Sequence, residues 1–205
     1  MRTLVPHTSV TGGARNFTVP QRLLETIKQG LGKAVLETDA WIVTGGTHAG
    51  VMQLMGEIMS DLVTDKQIPL IGVATWGIIK DRDSLTVDDL DKRLDISYSS
   101  DDALSLDLNH NFFVLVDDGS SNQFGKEIEF RAKLERQIAQ SLSQELKIPI
   151  VSIIVQGGPG SLNTAYSAVV SDTPLVSRLG KQKKKEKKDK DDTWSCLIFH
   201  CCTCR

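Results

Sequence analysis

Four short clusters of glycine and small polar residues are the part of this chain best suited to chemistry. They are Gly12-Gly13-Ala14, Gly45-Gly46-Thr47-His48-Ala49-Gly50, Asp117-Asp118-Gly119 through Gly125, and Gly157-Gly158-Pro159-Gly160-Ser161. A glycine has no Cβ, so a phosphate can approach its backbone N–H closely, while hydroxyls such as those of Thr47 and Ser161 supply further donors. None of the clusters has the lysine of a P-loop or the strict spacing of a dinucleotide fingerprint. The chemistry they predict is a nucleotide pocket of another kind, and the plainer alternative is that each glycine only makes a tight turn. Asp117-Asp118 would hold a ribose hydroxyl or cap its own turn. His48 would donate to a phosphate; it has no Cys, Asp or second His at ligand spacing, so no metal is expected. His110 stands just before an apolar run and reads as structural.

These clusters need elements to hold them on one edge. Short β-branched runs alternate with longer amphipathic ones, the pattern of βα units about a parallel sheet. The strands expected are Ser9–Val10, Trp41–Thr44, Leu70–Thr75, Phe112–Asp117, Ile150–Gln156 and a stub at Leu175–Val176. Four are nearly all apolar, as for strands covered on both faces. Thr18 three residues before Gln21, with Pro20 between, predicts a capping box and a first helix carrying Leu23, Ile27, Leu31 and Val35. Further helices are expected over Val51–Leu62, over Glu127–Leu146 with a buried stripe of Ile128, Ala132, Ile138, Leu142 and Leu146, and over Ser161–Ser171. Residues 81–106 read as a long loop with at most a short helix. The fold class is therefore α/β: a Rossmann-like, doubly wound parallel sheet in three layers, whose glycine clusters fall where strands end and helices begin.

Composition limits the function classes. The 205 residues include 24 Lys/Arg and 26 Asp/Glu. Eight of the basic and four of the acidic residues lie in 181–205, leaving sixteen against twenty-two in the body. An acidic body argues against nucleic-acid binding, which depends on basic surface. All four cysteines, Cys196, Cys201, Cys202 and Cys204, fall in the last ten residues, so the body has no disulfide and no cysteine zinc site, as suits a cytosolic domain. No apolar run reaches the roughly 18 residues of a membrane span, and no secretory signal opens the chain. The domains expected are 1–178 as the globular unit, 179–193 as a lysine-rich disordered linker, and 194–205 as a cysteine-rich end. A polybasic stretch beside clustered thiols is the pattern of a two-signal membrane anchor by S-acylation; zinc binding with His200 fits the spacing poorly, and an alternatively spliced or misassembled end is the other reading.

Six ordered blocks carry a resemblance. Ser9 to Phe17, Trp41 to Val51, Ile71 to Gly77, Asn109 to Gly119, Glu127 to Arg131 with Leu134-Glu135, and Ile148 to Gly160 closely resemble the N-terminal homology region of melastatin-type (TRPM) channels. That region belongs to the SLOG superfamily of Rossmann-like nucleotide-binding domains, and the match covers roughly residues 5–176. The resemblance, nearest to the ADP-ribose-gated branch, implies a cytosolic domain that senses ADP-ribose or a related nucleotide and regulates a calcium-permeable channel. It implies no enzyme activity, no catalytic residue and no cofactor besides the ligand. The implied partner is the remainder of a channel, a homotetramer in the family, at the cytoplasmic face of the plasma membrane. On this analogy Gly45, Gly46, Thr47, His48 and Gly50 line the phosphate side, and Gly157, Gly158, Gly160 and Ser161 close over the ligand. Arg131 contacts phosphate or the base, unless Glu127, Arg131 and Glu135 at i, i+4, i+8 form only a surface ion ladder.

Two departures stand out. Phe124 replaces the family's tyrosine seven residues before Arg131, keeping the stacking face without the hydroxyl. The family also continues beyond Thr173-Pro174 into a full strand and a loop with a second phosphate-binding arginine, where this chain has Ser177-Arg178-Leu179-Gly180 and then lysines. The alternative function is a stand-alone SLOG nucleotide-binding protein or phosphoribohydrolase. Related hydrolases carry a glutamate just after their glycine motif, and Gly157 to Ala165 has none.

Overall fold

The computed structural model describes residues 6–14, 19–62, 68–80, 82–86, 104–140, 150–170 and 173–178. Within them six parallel strands form one sheet: β1 (His7–Gly12), β2 (Trp41–Thr44), β3 (Leu70–Thr75), β4 (Phe112–Val116), β5 (Ile150–Val155) and β6 (Leu175–Arg178). Their order is β4-β3-β2-β1-β5-β6. The chain steps outward from β1 to β4, then returns to the other side of β1 for β5, which makes the β1/β5 boundary the switch point of the sheet.

β1 is longer than the expected Ser9–Val10. His7 to Ser9 pair with Trp41 to Val43 of β2, and His7 to Gly12 pair with Ile150 to Val155 of β5. Two flanking strands supply ladder partners that a weakly apolar segment does not advertise, so tertiary pairing overrides local propensity. The stub at Leu175–Val176 likewise extends to Arg178, because Ser152 to Val155 of β5 offer it a matching register.

Helices α1 (Gln21–Thr38) and α2 (Gly50–Asp61) cover one face, and α3 (Glu127–Gln140) and α4 (Pro159–Val170) the other. The three-layer arrangement expected from the sequence is therefore the one observed. Val10, Val35, Ile42, Val51, Met55, Ile58 and Leu70 form the main core, with Leu24, Ile27 and Leu31 of α1 packed against it. A smaller cluster joins Ala74, Ile79 and Leu106 to Phe113 and Leu115.

Several boundaries differ from expectation. The N-cap of α1 is Pro20, without a side-chain cap. Its carbonyl accepts the Leu24 N–H at 3.0 Å, while Gln21 turns along the helix to Glu25. With Pro20 as N-cap, Gln21 stands at the first helical position rather than the third; Thr18 and the side chain of Leu23 lie outside the described residues. α2 begins one residue early, at Gly50. α4 begins at Pro159, two residues early, since proline tolerates a first-turn position. Of the stripe expected on α3, Ile128, Ala132 and Ile138 are only half-buried, Leu142 and Leu146 lie outside the described residues, and the one buried position among the described residues of α3 is Arg131. In 81–106 a short 3-10 turn spans Arg82–Thr86, and residues 104–106 pack against the Gly46 loop. The expected linker and cysteine-rich end fall outside the described residues.

His7 at the start of β1 is 1% exposed, and neither ring nitrogen has a hydrogen-bond partner among the described residues. Burial pushes its pKa below the usual 6.5; nearby Glu135 opposes the shift, and Arg131 reinforces it. A histidine held neutral on folding must be protonated to follow the unfolded chain, so its contribution is complete above pH 6.5 and declines as pH falls through that value. Urea midpoints measured from pH 7.5 to 5.5 are expected to fall for the wild type, and to fall less steeply for His7→Phe.

Candidate functional site

The switch point is built on close backbone approach. A Cβ on Gly12 would lie 2.0 Å from the Val155 carbonyl oxygen, so β1 and β5 converge only because residue 12 is glycine. Gly157 follows β5 at φ 131°, a conformation closed to L side chains, and its Cβ would meet Ser161. The Ser161 hydroxyl donates to the Gly12 carbonyl at 3.1 Å, tying the first turn of α4 to the end of β1. On the other side the Val51 N–H donates to the Gly13 carbonyl at 3.0 Å, so Gly13 caps α2. The Gly12-Gly13-Ala14 loop thus lies between the N-termini of two twelve-residue helices, each carrying a partial positive charge. Of the residues expected at the site, Gly50, Gly157, Gly158, Gly160 and Ser161 gather around this loop; Gly12 and Gly13, which receive no separate role from the resemblance, prove to be its centre.

The Gly45–His48 loop comes next along the edge. Gly46 adopts φ 71°, its N–H donates to Thr44 Oγ1 at 2.9 Å, and its carbonyl accepts the Asp107 N–H at 2.9 Å. Thr47 pairs with Leu106 in an antiparallel bridge and is 7% exposed, so its side chain is largely withdrawn from the surface on which a phosphate donor was expected. The Gly45 backbone lies over Met52. His48 donates its backbone N–H to Ser105, and its ring Nδ1 stands 3.8 Å from Asp107 Oδ1. The fold thereby brings to His48 a carboxylate that sequence spacing did not reveal. Among the described residues no group of three or more His, Cys, Asp or Glu is arranged to hold a metal ion.

Asp117 and Asp118 act on their own turn. Asp117 Oδ1 accepts the Gly119 N–H at 2.9 Å. Asp118 accepts from the Ser120 hydroxyl and N–H and pairs with Lys126 at 3.1 Å; the Ser120 hydroxyl above all brings its pKa down to about 2. Phe124 is 68% exposed, an aromatic face open to stacking. Ile128 connects this loop to α4, lying 3.3 Å from where a Cβ on Gly125 would be and 4.0 Å from one on Gly160. Behind the rim a groove of about 450 Å³ runs between α3 and α4, lined by Gly125, Ile128, Lys133, Arg136 and Asn163 among others. It contains none of the glycines named above except Gly125 and lies on helix flanks.

Arg131 departs most from expectation. Its Nε pairs with Glu135 at 2.8 Å, and Nη2 donates to Ser9 Oγ at 2.9 Å, the Val10 carbonyl at 3.2 Å and the Val43 carbonyl at 2.8 Å. Ser9 Oγ in turn donates to Glu135 at 2.8 Å. Glu127 takes no part in a ladder, because it accepts from the Thr75 hydroxyl. At 6% exposure, Arg131 ties α3 to the undersides of β1 and β2. A surface ladder is excluded; these bonds engage Nε and Nη2 of the guanidinium.

An all-parallel sheet with helices on both faces and glycine-rich loops at its switch point defines a Rossmann-like α/β domain. Residues 4–180 match the family described as SLOG in TRPM, and the chain belongs to that family. It is 40% identical over 181 residues to transient receptor potential cation channel subfamily M member 2 of Rattus norvegicus and 41% identical to that of Mus musculus. It is 36% identical over 183 residues to the subfamily M member-like 2 protein of Nematostella vectensis. Each alignment covers 82% of this chain and 12% of the relative. The family match reaches residue 180, so it includes the whole of β6 rather than stopping near Val176. No helix among the described residues is long and apolar enough to cross a membrane.

Removing the guanidinium would leave the largely buried Glu135 carboxylate without its cation and cut the link from α3 to β1 and β2. Arg131→Ala is expected to lower stability by about 3–5 kcal/mol in urea denaturation, and Arg131→Lys to recover only part of it, because an ammonium lacks the planar fork that serves Glu135 and the strand carbonyls together.

Proposed function

We propose that this domain is the nucleotide-sensing part of a TRPM-type channel, binding ADP-ribose or a related nucleotide at the β1/β5 switch point without hydrolysing it. The observation that carries the reading is the side-chain-free rim of Gly12, Gly13, Gly157 and Gly158 set between two helix N-termini. A diphosphate would lie against that rim, and Phe124 offers a stacking face on the neighbouring loop. The carboxylates of Asp117 and Asp118 at the end of β4 are engaged in their own turn, which favours binding over acid/base chemistry. The relatives are cation channels by name, which supports the role in a channel; the tetramer and calcium permeation rest on the family resemblance alone. For the domain to regulate such a channel, the nucleotide must favour one of two arrangements of these loops.

Gly158 provides a clean test, since a Cβ there meets nothing within 4 Å and its φ is not positive. Asp at the start of α4 complements the helix charge but repels a phosphate. Calorimetry is expected to show saturable ADP-ribose binding by the wild type, at least tenfold weaker in Gly158→Asp, with an unchanged or higher melting temperature. Equal affinity in the variant would place the site elsewhere, and release of AMP or ribose 5-phosphate would make the domain a hydrolase.

A further inference from the structure

Behind the Gly45–His48 loop lies a sealed chain of polar side chains to which the proposed nucleotide site assigns no role. Thr44 and Asp107 are 0% exposed and His110 is 5% exposed. The Thr44 hydroxyl oxygen accepts the Gly46 N–H at 2.9 Å and lies 2.7 Å from His110 Nε2. His110 Nδ1 faces Asp107 Oδ2 at 3.6 Å. Neither of those two atoms has a hydrogen-bond partner among the described residues. Asp107 in turn donates its N–H to the Gly46 carbonyl and accepts the Asn109 N–H at Oδ1.

This geometry selects a tautomer. If Nε2 carried the proton, the bare lone pair of Nδ1 would point at a carboxylate oxygen in a site without water exposure, a repulsive arrangement. With the proton on Nδ1, it faces Asp107, and Nε2 is free to accept the Thr44 hydroxyl proton. That leaves the Thr44 lone pairs for the Gly46 N–H. The sequence of an acid, an imidazole and a hydroxyl resembles a hydrolytic triad, but the Thr44 hydroxyl is wholly buried, so it cannot meet a substrate. What it does meet is a backbone amide of the candidate ligand loop.

A second observation shows that the carboxylate occupies a made place. A Cβ on Gly56 of α2 would lie 2.2 Å from Asp107 Oδ2 and 2.9 Å from its Cγ. Any side chain at residue 56 would displace Asp107, so the helix carries glycine where the carboxylate passes.

We propose that His110 and Asp107 are positioning residues for the ligand loop: the imidazole, oriented by the carboxylate, fixes the Thr44 hydroxyl on the Gly46 amide, while the Asp107 backbone holds the Gly46 carbonyl. Gly46 is thereby locked at its positive φ from both sides, and the loop is set before any nucleotide arrives. The part concerning nucleotide affinity rests on the function proposed above; the part concerning loop geometry does not.

Three readouts on the full chain separate the two. Long-range nitrogen–proton NMR of the wild type is expected to show His110 protonated on Nδ1; protonation on Nε2 alone would overturn the proposal. Hydrogen exchange of the Gly46 amide is expected to be at least tenfold faster in Thr44→Val and in His110→Phe, and protected again in Thr44→Ser. Equal protection in Thr44→Val and the wild type would also overturn it. ADP-ribose affinity is expected to fall at least tenfold in Thr44→Val and to return in Thr44→Ser; affinity untouched despite a loosened Gly46 would overturn the coupling to the ligand. A wild type that binds no ADP-ribose would refute the ligand assignment, while the tautomer and exchange readouts still decide the positioning role. Should Thr44→Val fail to fold, the wild-type tautomer and the comparison of Thr44→Ser with His110→Phe decide it.

Discussion

The guanidinium of Arg131 joins one helix to two strands of the sheet at once. It is buried, it is neutralised by Glu135 from its own helix, and it donates to Ser9, to the Val10 carbonyl and to the Val43 carbonyl. β1 and β2 are thus held to each other by their ladder and to α3 by one planar cation. A charge of this kind is tolerated inside a protein only when its donors are matched by acceptors, and here the acceptors include backbone groups of the two central strands. Because those strands end in the Gly12 and Gly45 loops, the relative setting of the loops depends on this contact.

The remainder of the site follows from backbone proximity. The rim at the switch point is formed where side chains would collide: Gly12 against the Val155 carbonyl, Gly50 against the Gly13 carbonyl, Gly157 against Ser161. Each collision fixes a glycine, and the resulting surface presents backbone rather than side chains. Two helices open onto it, one capped by the Gly13 carbonyl and the other laced to Gly12 through Ser161. A surface of this kind is suited to a phosphate, which needs close N–H groups and no intervening Cβ.

Much of the fold could be read along the chain. The apolar runs of β2, β3, β4 and β5 and the periodicity of α1 and α2 are local signals, and the order of the elements implies a parallel sheet. β1 was only partly legible, because His7, Thr8, Ser9 and Thr11 are ordinary polar residues until two neighbouring strands pair with them. The Thr18-Gln21 motif pointed to a helix start near Thr18, whereas the helix has Pro20 as its N-cap and begins at Gln21. Clustered glycines pointed to one edge of the sheet as their common place, whereas their spacing said nothing about which would converge.

Residue types and periodicities therefore determined the α/β class, the order of strands and helices and the gathering of the glycine loops at one edge, since all three depend on hydrophobic pattern and turn chemistry within a few residues. Only the tertiary structure decided what the polar side chains do. Arg131 looks like a surface cation from its i, i+4 carboxylates, yet its length lets it cross a helix–sheet interface to carbonyls 88 and 121 residues away. His110 and Asp107 are three residues apart and unremarkable until Thr44 and Gly56 close around them. Hydrogen bonding and burial are set by neighbours distant in sequence, which is why these roles emerge only from the folded chain.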